Sequence, residues 1–261
     1  MQQRGTAAEN VLYILNLAVS LLVVYLLYKI VAASFASGGA AGSTGVLVIT
    51  YVVLILLYVF FAKGLMIGRV RGNGVRLSER QFPEIYAIYR RQLASMGIRN
   101  EPALYCVQSN GILNAFAARV AFRNYVVMYS EILQAAYEEG EDAVSFVLAH
   151  ELGHIKRNHP LKNLFIYPSF VLLPLRQAYS RACEFTCDRI GMSQSPRGVQ
   201  GLLVLAAGRH LSRRINCADY VERASQEKGF WVWFSQFLSS HPNLPRRVSR
   251  VLNSSAGPAS A

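Results

Sequence analysis

The chain opens on two long apolar runs. Val11 to Ala33 is interrupted only by Asn16, Ser20 and Lys29, and Val46 to Ala62 holds no charge before Lys63 and the apolar Gly64–Gly68. A helix needs about 20 such residues to cross a bilayer core, so residues 11–33 and 46–67 read as two membrane spans. Between them, Ser34–Gly45 is rich in Gly, Ser and Ala and carries no charge. The pair therefore reads as a transmembrane hairpin, residues 1–68, joined by a loop. A cleaved signal peptide is the rival for the first run, but its apolar stretch exceeds the roughly 7–15 residues of a signal-peptide core.

Past residue 68 the pattern becomes that of a globular domain, 69–261. Phe82, Ile85, Tyr86, Tyr89 and Leu93 recur at helical spacing, and Ser78 with Gln81 has the form of a capping box. This predicts a helix from Glu79 to about Met96, stopped by Gly97. Ala103–Val107, Ala115–Val120 and Tyr125–Tyr129 are short, β-prone and bounded by turn residues, which predicts a small antiparallel sheet. Ser130 then caps a short helix, and another runs from Glu141 to about Asn158, closed by Pro160. Asn163–Leu175 is apolar but contains Pro168 and Pro174. It is too short to span, so it dips into the membrane or lies against its surface. Arg176–Ile190, ending at Gly191, and Gly201–Leu211 are further helices. Phe230–Phe237 holds both tryptophans and reads as core packing, with an aromatic contact at the membrane interface as the alternative. The fold class is α+β with a mostly helical second half.

Composition narrows the function classes. Of 261 residues 52% are hydrophobic and 16% charged, too little charge for a disordered chain. The net charge of +12 is carried by scattered residues, mostly Arg, with no basic run interleaved with aromatics. That argues against a nucleic-acid partner, and a surface facing anionic lipid accounts for it. Lys63, Arg69, Arg71, Arg76 and Arg80 follow the second span, whereas the inter-span loop has no Lys or Arg. Such asymmetry places the amino terminus and the large domain on the cytoplasmic side, here of a cell inner membrane. Cys106, Cys183, Cys187 and Cys217 form no CxxC pair. They read as reduced, small buried residues, with a metal or redox role for Cys183 and Cys187 as the alternative.

The sharpest feature is His150-Glu151-Leu152-Gly153-His154. Residues four apart share a helix face, so both imidazoles reach one metal. Glu151, one position on from the first ligand, is placed to take a proton from water as general base. A third ligand is needed. The metzincin spacing requires Gly and His where this chain has Arg157 and Pro160, so a carboxylate from a later helix is expected. Glu184 suits, and Asp188, four residues on, is placed to hold a liganding histidine through a hydrogen bond.

The HELGH motif, the Ser180-Arg181-x-x-Glu184-x-x-x-Asp188 segment, Asn114-Ala115-Phe116-Ala117 and Ser240-His241-Pro242-Asn243-Leu244-Pro245-Arg246-Arg247 together resemble the HtpX-like and CaaX prenyl protease type I family of membrane zinc metallopeptidases. The resemblance covers roughly Arg76 to Val251. It implies a zincin-like, gluzincin fold with one catalytic Zn2+. It implies that Asn114, Ala115 and Phe116 belong to an edge strand that binds extended substrate backbone. The substrates it implies are polypeptides, including damaged or misassembled membrane proteins. The resemblance also raises His241 to a functional candidate. As an imidazole apart from the metal ligands it is placed to stabilise the oxyanion, with Arg247 as helper or replacement. His159 reads only as a partner of the motif helix's last carbonyls. HtpX-like relatives place two further spans between the motif helix and the Glu helix. Only residues 155–183 are available here, so two spans do not fit, and one would put the ligands on opposite sides of the membrane. The site therefore sits beside the membrane. Two other readings stand next to membrane protein quality control. One is site-specific processing of a single protein. The other is a sensor or adaptor retaining the fold, against which the intact Glu151 argues.

Overall fold

The computed structural model describes residues 5–108, 115–120, 122–208 and 210–255. Two long helices come first, α1 (Ala7–Ser37) and α2 (Gly39–Asn73). Both outrun the expected spans, and the expected Ser34–Gly45 loop shrinks to a break at Gly38. Alanine is the best helix former, and Ser34 and Ser37 satisfy their hydroxyls on the carbonyls four residues back, so the helix continues. It breaks at Gly38 and Gly39, whose φ angles of 63° and 52° suit glycine and strain other residues.

After α2 come β1 (Val75–Arg76), α3 (Pro83–Met96), β2 (Ala103–Val107), β3 (Ala115–Val120) and β4 (Arg123–Tyr129). The predicted capping box does not form. Ser78 and Gln81 close a turn on each other by two backbone hydrogen bonds of 3.0 Å. The helix starts only at Pro83, because proline disfavours the helical region for the residue before it and Phe82 sits at φ 61°. The sheet order is β1-β2-β4-β3. It is mixed, which corrects the expectation of an antiparallel sheet. β3 and β4 form an antiparallel hairpin, but the chain passes from β2 beyond the position of β4 before turning back, so β4 lies parallel to β2. The Tyr125-Val126-Val127-Met128 run is buried throughout, as a central strand covered on both faces requires. Val126 and Met128 face the main core with Leu104 and α3. Tyr125, Val127 and Tyr105 pack on the far face against Ile67 and Val70 of α2. The second long helix thus ends as part of the domain.

The rest is helical: α4 (Ser130–Glu139), α5 (Glu141–Lys156), α6 (His159–Phe165), a 3₁₀ turn (Tyr167–Leu172), α7 (Leu173–Gln194), α8 (Val199–Ala207), α9 (Cys217–Gln226), α10 (Phe230–Leu238) and α11 (Leu244–Ser255). Pro160 opens α6 instead of merely closing α5, a role suited to a residue lacking an N–H. Asn158, at φ 55°, makes the turn between the two helices. The apolar 163–175 segment is broken at its prolines as expected, and it packs along α1. Ser169 bonds Asn16 Oδ1 through its hydroxyl at 2.7 Å and Ser20 Oγ through its amide at 3.1 Å, and Asn16 donates to Leu175 O at 3.3 Å. Two of the three polar interruptions of the first apolar run, Asn16 and Ser20, therefore satisfy this irregular backbone, while Phe165, Phe170 and Val171 stay exposed. α10 corrects the core-packing expectation. None of its residues is buried, and its rings stack mainly on one another, as Phe230 does on Phe234 at 5.4 Å. Arg181 of α7 holds its end by donating to the carbonyls of Gln236, Phe237 and Ser239.

Candidate metal centre and cleft

The site is built where α5 crosses α7. A Cβ on Gly153 would stand 3.2 Å from Cys187 Sγ and 3.5 Å from its Cα, and one on Gly191 would meet the Phe146 ring at 2.8 Å. Small residues at the crossing let the backbones approach, so a glutamate of α7 reaches the histidines of α5. Cys183 and Cys187 are buried and free, as expected of small residues in such a seam. Burial pushes the Cys183 thiol up to about 12 and Cys187 well above its ordinary value, the latter reinforced by Glu184.

His150 Nε2 and His154 Nε2 lie 3.3 Å apart. Glu184 closes the triangle, with Oε2 at 3.5 Å from His150 Nε2 and Oε1 at 3.4 Å from His154 Nε2. These three residues form a group able to hold a metal ion. Behind His150, Asp188 Oδ1 stands 3.0 Å from Nδ1, though the ring N–H is turned off the line to that oxygen. Arg247 grips Asp188 with two hydrogen bonds of 2.8 and 2.6 Å and reaches Glu184 Oε2 at 3.3 Å. His241 Nδ1 meets the same Glu184 oxygen at 3.0 Å.

The electrostatics follow from this packing of charge in a buried seam. Burial alone would lower the His150 pKa, but Asp188 and Glu184 hold it up at about 10. Burial would raise Glu184 and Asp188, yet the histidines and Arg247 hold Glu184 well below its ordinary value, and Arg247 and His150 hold Asp188 below 3.8. Burial works against the Arg247 charge, but Asp188 and Glu184 raise its pKa further. The hydrogen bond to Glu184 raises that of His241.

His150, Glu151, His154, Glu184, His241 and Arg247 line one cleft of about 450 Å³ with Ala115 and Phe116 of β3, the outer strand of the sheet. Asp188 lies behind His150, and Asn114 lies outside the described residues. Arg247 is 6% exposed, and its guanidinium is committed to Asp188. His159 differs from its expected place. The turn at Asn158 folds it back, so that its Nδ1 lies 3.0 Å from His154 Nδ1 and its Nε2 lies 3.2 Å from Glu9 Oε1 of α1. Burial lowers its pKa to about 4, so it is neutral. Glu9 and His159 were not legible as site residues. The one signal was an acid at the head of an apolar run whose other charge is Lys29.

The model of peptidase family M48 matches residues 79–173 and 164–255, well over half of the chain. The chain belongs to peptidase family M48. The M48 match starts beyond the apolar run of α2 and contains the HELGH segment, Glu184 and His241, in keeping with the resemblance read from those motifs. Membership in M48 implies metallopeptidase chemistry. A relative is the plastoglobule-localized metallopeptidase 48, chloroplastic, of Arabidopsis thaliana, 24% identical over 210 residues. That alignment covers 70% of this chain and 59% of the relative, so the chain spans less than two thirds of the relative's length. No solved structure matches the chain significantly.

Proposed function

We propose that this M48 member is a membrane-anchored zinc endopeptidase of the gluzincin type, with its catalytic domain facing the cytoplasm. The observation that carries the reading is the triangle of donor atoms. Imidazole nitrogens and carboxylate oxygens bind zinc at about 2.0–2.1 Å, and in a tetrahedral shell such atoms stand about 3.3–3.4 Å apart. The separations here are 3.3, 3.4 and 3.5 Å. Each histidine has its other nitrogen beside a polar partner, so two Nε2 atoms and a carboxylate converge on one point, and a cation there takes the place of the protons that the metal-free cluster holds. His150, His154 and Glu184 therefore fit the ion as its ligands, and the nitrogen donors favour zinc over calcium or magnesium.

Zinc bound there supplies Lewis-acid activation of water and of the scissile carbonyl. The protein's own groups do the rest. Glu151 takes the proton from water and passes it to the leaving amine. His241, its side chain 63% exposed and its Nδ1 on Glu184, presents its ring as a hydrogen-bond donor to the oxyanion. Arg247, in the wall of the cleft, steadies Glu184 and Asp188. Asp188 backs His150. An extended polypeptide binds alongside β3 as an added strand, which the position of Ala115 and Phe116 in the cleft supports.

The membrane reading rests on α1 and α2, each long and apolar enough to cross, with only 11% and 6% of their most apolar windows buried. Soluble core helices bury such faces. Irregular backbone is tolerated at membrane depth only where protein satisfies it, and Asn16 and Ser20 do this for the 3₁₀ turn. The substrates are polypeptides, membrane proteins among them, as quality control requires. The test is metal analysis with a casein degradation assay on the full chain in detergent. One zinc per chain is expected, with cleavage abolished by chelator and restored by zinc. Cleavage indifferent to chelation, or full zinc in a His150→Ala/His154→Ala variant, contradicts the proposal.

A further inference from the structure

The back of His154 is held by a chain of contacts that leads out of the domain and into the first helix. His154 Nδ1 meets His159 Nδ1 at 3.0 Å, and His159 Nε2 meets Glu9 Oε1 at 3.2 Å. Glu9 and His159 are both buried, at 0% and 1% exposure. The same Glu9 oxygen takes Arg157 Nη2 at 3.0 Å and lies 3.5 Å from Lys162 Nζ. Gly5 lies close against the cluster, since a Cβ there would meet Arg157 Nη2. A lone acid in an apolar helix would be costly; this one is fixed by three basic side chains.

Two Nδ1 atoms at hydrogen-bond distance cannot both carry a proton between them. If His154 offers Nε2 to a metal, its proton sits on Nδ1 and is donated to His159 Nδ1. His159 must then carry its own proton on Nε2, facing Glu9. A carboxylate accepts and cannot donate, so Glu9 selects that tautomer of His159. His159 in turn selects the metal-binding tautomer of His154. Without the acid, His159 is free to hold its proton on Nδ1, where it favours the His154 tautomer whose Nε2 is blocked. Asp188 stands in the corresponding place behind His150, 3.0 Å from its Nδ1.

We infer that Glu9 and His159 are positioning residues that set the metal-binding tautomer of His154, making the first helix a working part of the metal centre. This rests on the function proposed above. A competing use of the same atoms exists. His154, His159 and Cys187 also form a group able to hold a metal. Filling it beside the first site would require proton loss from the His154 ring as well as from a buried thiol, and filling it alone would still require the thiol to ionise, whereas the positioning chain needs only neutral rings and one carboxylate.

The experiment is a zinc competition titration against a chromophoric chelator, using the full chain in detergent, with wild type, Glu9→Gln, His159→Phe, the double variant and Lys162→Met. Glu9→Gln and His159→Phe should each weaken zinc about 10–100-fold, the usual effect of removing a partner that orients a ligand. The double variant should be no weaker than the worse single, because both act through one chain. Lys162→Met, which touches Glu9 but not the rings, should bind as wild type. Unfolding of each metal-free variant is measured alongside. Wild-type affinity in Glu9→Gln overturns the inference. So do additive losses that follow the drop in metal-free stability, the mark of a merely structural role. A second zinc equivalent in wild type that disappears in Cys187→Ala assigns these atoms to the competing site. Absence of any zinc from wild type removes the function proposed above and this inference with it.

Discussion

Removing Arg247 should destabilise the metal-free protein more than the zinc-loaded one. Its guanidinium is buried, bonds Asp188 at 2.8 and 2.6 Å and stands 3.3 Å from Glu184. Arg247→Ala leaves two buried carboxylates on one helix with a single cation short. Breaking a buried pair from one side costs about 3–5 kcal/mol. For a domain of this size about 1 kcal/mol moves the midpoint by about 2–4 °C, so a fall of roughly 6–20 °C is expected. Zinc shares the charge of Glu184, so saturating zinc should recover part of the loss. Arg247→Lys should fall between, because an ammonium cannot reproduce the two-pronged contact. Arg247→Met with Asp188→Leu should recover most of the deficit, since an apolar replacement of both partners is often neutral. Asp188 is held below its ordinary 3.8 by Arg247 against the opposing effect of burial. The pair's contribution is thus full above that value and lost as pH falls through the lowered one, and Arg247→Ala should flatten this acid dependence. Helix circular dichroism on heating in detergent, with chelator or with zinc, reads all of these. A metal-free Arg247→Ala midpoint within about 2 °C of wild type refutes the reasoning, since that is below 1 kcal/mol.

Three further outcomes follow from the packing and the charges. Gly191→Ala, whose Cβ would meet Phe146 at 2.8 Å, should cost about 1–3 kcal/mol of stability by overpacking. The same change at Gly68, with nothing within 4 Å, should be neutral or gain up to about 1 kcal/mol. On a cysteine-free background, a cysteine probe at Ser43 should react with an impermeant reagent in intact cells and one at Ser78 should not; the reverse pattern ends the cytoplasmic reading. At pH 8.5 the buried thiols of Cys183 and Cys187, both held above their ordinary pKa, should resist iodoacetamide until the protein unfolds, and mass spectrometry showing rapid native alkylation at either contradicts the seam.

The parts of this architecture that were legible in the sequence are those set by local pattern or by fixed chemical spacing. HELGH at helical period puts two imidazoles on one face, and the lack of the metzincin spacing leaves the third ligand to a later helix, where Glu184 stands. The strands Ala103–Val107 and Ala115–Val120 were visible because β-branched and apolar residues sit between turn formers. The parallel pairing of β2 with β4 was not, because strand order depends on how the connection passes and not on the strands themselves. The hairpin loop was overdrawn because Gly, Ser and Ala read as loop by composition, while the backbone keeps its helical hydrogen bonds until positive-φ glycines stop it. Aromatic α10 read as core because hydrophobicity alone does not say whether a neighbour is there to cover it. Asn16 and Ser20 read only as polar interruptions of an apolar run, and they serve the backbone of the 3₁₀ turn. Glu9 and His159 went unseen as a pair because they are 150 residues apart in sequence and meet only once α1 packs on α6 and α7.

The central claim is that His150, His154 and Glu184 hold a catalytic zinc for which Glu151 is the base. The most direct measurement is zinc content and peptide cleavage together in Glu151→Gln, a change that removes the base and keeps the ligands and the shape. The account predicts wild-type zinc content with turnover lowered about 10²–10⁴-fold. Wild-type turnover from the zinc-loaded variant, or a loss of zinc equal to that of Glu184→Ala, contradicts it.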